Sequence, residues 1–239
     1  MPYGQTEYNS FSPKQADQEL IMMQLADSFF PSGTFTFSHG LEGMVQKGYV
    51  QSPEHLLEML TLTLQQKLGP CELVALIHAH QASSAENIAL LKIVEQVLWT
   101  HILVEEARET LRRSGQALLR VAATVWPDQQ LQQLSDPESF YGLHPIVFAV
   151  VGRATGLDAH NTGLAYVHAY ITGIVGAAIR LGIIGHIRAQ QIRWQLTPCL
   201  QEICNDACQT DLESLWSFYP RLDITQMNYC YQEQRLFAN

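Results

Sequence analysis

Charge is scarce in this chain. Only 15% of its 239 residues are Asp, Glu, Lys or Arg, against roughly 25% in an average globular protein, and 23 acidic against 14 basic side chains leave a formal charge of −9. There is no Lys/Arg-rich run and no basic stripe interleaved with aromatics, so nothing here competes for a phosphate backbone, and nucleic acid is excluded as a partner. Cysteine is sparse as well. Cys71, Cys199, Cys204, Cys208 and Cys230 form an odd set without secreted-domain spacing, and the start, MPYGQTEYNSFSPKQ, lacks the basic, apolar and cleavage regions of a signal peptide. The expected compartment is the cytoplasm. Long apolar runs are confined to one, Gly163 to Ile179. It approaches the roughly 17 to 25 residues that span a bilayer, but His168 interrupts it and His160 and Arg180 bound it, so it reads as a buried helix and not as a membrane span. GxSxG, P-loop, GxGxxG and HExxH motifs are all missing, which moves the expectation from catalysis toward binding or scaffolding.

What is present is apolar residues, 47% of the chain, recurring at three and four positions. Leu20 to Asp27 begins the pattern, and FFPSGTFTF breaks it, because the residue before a proline leaves the α region and Pro31, Ser32 and Gly33 form turns. A helix from about Ser38 ends near Gly48, a C′ glycine after Lys47. Ser52, Pro53 and Glu54 start the next, whose buried face runs through Leu56, Leu57, Leu60, Leu64 and Leu68 until Gly69 and Pro70 stop it. Glu72 to Gln81 and Ala85 to Val125 read as helices, with Glu105 and Arg108 or Glu109 and Arg113 spaced to pair on an exposed face. Further helices run from His144 and Pro145 to Gly156, from Asp158 through Leu181, and from Ala189 to Cys208. No window reads as an amphipathic strand and no repeat of 20 to 50 residues appears. The expected fold is all-α, a single-domain helical bundle with a buried central helix rich in small residues: Gly163, Gly173, Gly176, Ala177 and Ala178. Such residues let backbones approach closely, within the core or at a subunit contact. The expected organisation is a flexible leader over 1–13, a helical domain over 14–218 and a partner-binding tail over 219–239. The tail loses helical periodicity while keeping large apolar residues.

Candidate ligands are thin. His78 and His80 stand on opposite sides of a helix and read as surface residues. His160 and His168 share a face, with His168 in an apolar stripe where a satisfied core histidine is the plainer reading. His168 is also the one choice for a haem-oxygenase-like alternative. Cys204 and Cys208, with Cys199 nearby, offer soft thiolates to nickel or zinc, but no second pair completes a four-ligand site. A thiolate metal store is therefore a second alternative. The expectation is no catalytic residue and no tightly held metal or cofactor.

The segment LADSFFPSGTFTFSHGLE, Leu25 to Glu42, resembles the N-terminal signature of the UreF family of urease accessory proteins. Further blocks agree in order and spacing: EARETLRRSGQALLR (Glu106 to Arg120), LHPIVFAVVGRATGL (Leu143 to Leu157), AAIRLGIIGHIRAQQ (Ala177 to Gln191) and DITQMNYCYQEQRLFAN (Asp223 to Asn239). The residues that carry the resemblance, and that it marks as motif or partner-binding positions, are Pro31, Gly33, Phe35, Phe37, His39, Gly40 and Glu42; Arg108, Glu109 and Gly115; His144 and Pro145; Arg180, Gly185 and Gln190; and Tyr229, Arg235, Leu236 and Phe237. The resemblance implies a dimeric, non-enzymatic helical protein that joins UreD (also called UreH) and recruits the GTPase UreG. The assembly then delivers nickel to apo-urease. It also raises Arg235 as an arginine finger for UreG, with simple anchoring as the alternative. The tail is expected to order on UreD, with Leu236 and Phe237 in a pocket, or else to pack on its own bundle.

Overall fold

A computed structural model describes residues 15–31, 37–136, 139–229 and 236–237. Every regular element among them is helical. Helix α1 (Gln15–Ala26) is followed by α2 (Leu41–Gln46), α3 (Pro53–Thr63), a π-helical stretch (Leu64–Leu73) and α4 (Val74–Ser84). Then come α5 (Ile88–His101), α6 (Glu105–Val125), α7 (Gln129–Leu134), α8 (His144–Ala154), α9 (Ala159–Arg180), α10 (His186–Gln209) and α11 (Pro220–Tyr229). The boundaries follow local chemistry. Ser52 accepts the His55 N–H with Pro53 in the first turn of α3, Asp158 accepts the Asn161 N–H at 2.7 Å, and Gly48 closes α2 with φ 72°.

The most enclosed helices are α4 and α8; α8 buries every residue from His144 to Gly152. Helix α4 packs on α5 and α8, and α6 on α8. Helix α9 shares the centre with them through Gly163, Tyr166, Val167, Ile171, Ile174, Ala177 and Ala178. Its other side is partly open, and a Cβ added at Gly173 or Gly176 would meet nothing within 4 Å. By length and composition α9 is the one described helix able to cross a membrane, and 61% of its apolar window is buried in the fold.

Four details differ from the sequence reading. Gly69 and Pro70 do not stop the helix; the chain widens into the π-helix and runs on without a break into α4. The expected helix from Ala85 to Val125 is two. Ile102 and Val104 sit between them in extended conformations that bury both side chains, which suits β-branched residues better than another helical turn. Glu109 pairs with Arg112 at 2.9 Å and not with Arg113, while the Arg108 guanidinium lies over the Trp99 ring at 5.1 Å, so the expected Glu105–Arg108 and Glu109–Arg113 pairs give way. The tail resumes helix at Pro220, where proline suits the first turn, and α11 packs on α2 and α6 through the buried Leu222 and Thr225.

Candidate functional site

The N-terminal signature and the C-terminal block, far apart in sequence, close on each other. After Phe37, which is buried, His39 and Gly40 take the left-handed region with φ 50° and 88°. Gly40 is needed twice over: besides its backbone angle, an added Cβ would come within 2.7 Å of Leu222 and 2.9 Å of Gln226 on α11. Two residues on, the buried Glu42 carboxylate accepts the Leu236 N–H at 2.9 Å and the Phe237 N–H at 3.3 Å. Charge-assisted bonds of this kind are about twice as strong as neutral ones. The Phe237 ring is buried beneath the Arg180 guanidinium at 4.5 Å, whereas the neighbouring Leu236 side chain is 78% exposed. Phe237 therefore fills a place on its own bundle and is not held out for a partner; Leu236 is presented.

Beneath this closure lies a polar interior. A cavity of about 50 Å³ is lined by His39, Gly40, Lys67, Cys71, Glu72, Tyr170 and Gln226 among others. A second, of about 30 Å³, is lined by Ser114, His144 and Tyr166, and the two meet at His39, Leu111 and Tyr170. The Tyr166 hydroxyl donates to Glu72 Oε2 at 2.6 Å, and the His39 and Tyr170 rings lie 4.7 Å apart. His144 packs against Phe148 and Tyr166, with its Nε2 buried and unpartnered. Burial pushes the His39 imidazole down to about 4 and, with a smaller contribution from His39, the His144 imidazole down to about 3. It raises the Glu72 carboxyl and the Tyr166 and Tyr170 phenols, and lifts the Cys71 thiol to about 12. At neutral pH both imidazoles are uncharged and the thiol is protonated, a set suited to hydrogen bonding and not to nucleophilic attack.

Another motif residue serves the core. Gly115 faces the loop before α8, where an added Cβ would come within 2.0 Å of the Gly142 carbonyl oxygen and 2.7 Å of the His144 nitrogen. That loop is clamped by the buried Glu95 carboxylate, which accepts the Tyr141 and Leu143 N–H groups at 2.8 and 2.9 Å. Pro145 occupies the first turn of α8, Gly185 precedes α10, and Gln190 is exposed, accepting from Arg193 at 3.3 Å. Pro31 is exposed and Tyr229 ends α11. Gly33, Phe35 and Arg235 lie outside the described residues, and with them most of the expected turn from Pro31 to Phe37.

Three histidines are placed otherwise than expected. His80 is buried and bonds the Leu157 carbonyl through Nε2 at 2.9 Å, and the half-buried His78 does the same with Thr210, so neither is a bare surface residue. His168 is exposed on a groove between α1, α9 and α10, where its Nε2 accepts from Arg193 at 2.7 Å. That groove is also lined by Met22, Leu164 and Trp194. Among the described residues no three His, Cys, Asp or Glu side chains are grouped to hold a metal ion. Burial lifts the Cys204 thiol to about 12 and raises Cys199 and Cys208. Sequence reasoning missed Lys67, Glu72, Glu95, Tyr166 and Tyr170. Glu72 and Glu95 were detectable as acids on the apolar side of their helices.

A profile of the family described as UreF matches residues 50–197. The chain is 44% identical over 225 residues to the urease accessory protein UreF of Trichodesmium erythraeum (strain IMS101), an alignment that takes in 93% of this chain and 97% of that protein. It is 28% identical over 238 residues to urease accessory protein UreF 1 of Brucella melitensis biotype 1, covering 98% of each. With the urease accessory protein UreF of Bacillus sp. (strain TB-90) it shares 27% identity over 223 residues, 92% of this chain and 98% of that one.

Proposed function

The chain belongs to the UreF family of urease accessory proteins, and on that premise we propose that it is a cytoplasmic, non-enzymatic helical adaptor that joins UreD (UreH) and recruits UreG, so that the assembly delivers nickel to apo-urease. Nickel is the cargo of the assembly, and this chain holds none tightly. The observation that carries the reading is the outward face of the C-terminal segment. Ile224 and Leu236 are exposed there on a backbone fixed by Gly40, Glu42 and Arg180, and Trp216 and Phe218 on a main chain bonded to the Pro70 and Gln66 carbonyls. Exposed apolar side chains on a rigid support are what a protein partner uses as anchors, since little ordering entropy is lost on binding.

A homodimer within the complex belongs to the same reading. It is supported by the open side of α9 at Gly173 and Gly176 and by the adjoining groove, where the Trp194 side chain is 79% exposed. An effect on GTP hydrolysis by UreG would run through Arg235, or else that residue only anchors the tail. Two alternatives have less support: the haem reading, because His168 stands exposed on an open groove with its Nε2 bonded to Arg193, and the thiolate store, because the described residues group no three His, Cys, Asp or Glu side chains around one point.

The test is capture of UreD, and through it UreG, by the purified protein. Ile224→Glu with Leu236→Glu places two charges on the proposed contact without touching a buried side chain. UreD capture should fall by at least about tenfold, as expected when anchors of 1 to 2 kcal/mol are lost, with the circular dichroism spectrum unchanged. Undiminished capture would remove the C-terminal face from the interface.

A further inference from the structure

The wide helix at Leu64–Leu73 is held from outside its own chain segment. Pro70 has no N–H, and the Gln66 carbonyl, which a regular α-helix would pair with residue 70, accepts the Phe218 N–H at 2.8 Å. The Pro70 carbonyl accepts the Trp216 N–H at 3.1 Å. A third tie is the ion pair of Lys67 with Asp223 on α11. It is the main chain of 216–218 that does the holding, while the Trp216 and Phe218 side chains face outward.

The same helix is a wall of the cavity: Lys67, Cys71 and Glu72 line it, together with Ser217 of the bonded segment and Gln226 of α11. A π-helix is less favourable than an α-helix of equal length and is ordinarily limited to a single turn, so ten residues in that register persist only where the surroundings impose them.

We propose that the segment from Leu215 to Asp223 is a strap that keeps this helix in its wide register and the cavity wall in place, so that lifting the strap frees the helix and reshapes the cavity. The device couples the position of this segment to the shape of the interior.

The test uses hydrogen exchange read by mass spectrometry on the full-length protein, with alkylation of Cys71 by iodoacetamide as a second readout. Phe218→Pro deletes the N–H that serves Gln66, and Phe218→Ala keeps it while removing the exposed ring. With Phe218→Pro, amides of Lys67 to Leu73 and Cys71 alkylation should speed up by at least about tenfold, local opening having become easier, while α5 and α8 exchange as in the unmodified protein. Phe218→Ala should leave both rates within about twofold. Unchanged rates with Phe218→Pro, or equal acceleration by Phe218→Ala, would overturn the proposal. Should Phe218→Pro fail to fold, Asp223→Asn decides alone: faster exchange confined to the same amides supports the strap, and unchanged exchange overturns it.

Discussion

Gly115→Ala sets two effects of opposite sign against each other. Inside a helix, alanine is favoured over glycine by about 1 kcal/mol, so on propensity alone the substitution in α6 should stabilise. The added Cβ, however, would stand 2.0 Å from the Gly142 carbonyl oxygen, 2.7 Å from the His144 nitrogen and 2.8 Å from the Leu143 carbonyl carbon. These are backbone atoms, and they cannot swing aside as a side-chain end would. The loop is tied to Glu95 and leads directly into α8, which is buried throughout its first nine residues, so relief must come from separating α6 and α8. Overpacking that moves backbone costs typically 1–3 kcal/mol or more, and the burial of α8 puts this case at the upper end. Against the propensity gain, a net loss of about 2 kcal/mol is expected, or a fall in Tm of about 4–8 °C for a chain of this size. The control is Gly173→Ala in α9, where nothing lies within 4 Å of the new methyl and only propensity acts; it should gain about 0.5–1 kcal/mol. Urea unfolding followed at 222 nm, with m unchanged, measures both. If Gly115→Ala is neutral or stabilising, the close approach of α6 to the α8 loop is refuted. If Gly173→Ala destabilises instead, the open side of α9 is refuted.

Three further outcomes are expected. His144 titrates from about 6.5 when unfolded to about 3 when folded, so the unfolded state takes up the proton first. The His144 contribution to stability is full above pH 6.5 and falls as the pH drops toward 3, by up to about 1.4 kcal/mol per pH unit, with His39 acting in the same direction and the raised Glu72 carboxyl against it; His144→Gln should reduce the slope in urea titrations at pH 4–7, and an unchanged slope would contradict the burial argument. Trp194→Glu should lower the self-association seen by sedimentation velocity, with unchanged helicity; a dimer that persists would move the subunit contact off the α1, α9 and α10 groove. In equilibrium dialysis against nickel, replacing Cys199, Cys204 and Cys208 by Ser should leave the bound metal unchanged, and a loss of tight binding would restore the thiolate-store reading.

Helix starts and stops that depend on adjacent residues were legible in the sequence: Ser52 with Pro53, Asp158, and Gly48 after Lys47 all behave as their local chemistry dictates. What was not legible depends on distant partners. Gly69-Pro70 reads as a terminator because proline withholds an N–H, and the donor that replaces it comes from Phe218. His78 and His80 look like surface residues until the carbonyls of Thr210 and Leu157 arrive beside them. The C-terminal segment looked aperiodic because, among the described side chains of α11, Leu222 and Thr225 are buried while the polar Gln226 turns to the cavity, and Phe237 is recruited past the end of the helix. In the site, the motif residues were found by resemblance. The Glu72–Tyr166 bond beneath them, formed across 94 residues, had no local signal beyond an acid on a buried face.

The most direct test of the central claim is reconstitution of urease activation from purified UreD, UreG, apo-urease, nickel and GTP, with and without this protein. The adaptor reading predicts that urease activity appears only when this chain is added, and that the Ile224→Glu, Leu236→Glu variant fails to support it while remaining folded. Equal activation in its absence, or full activation by that variant, would contradict the account.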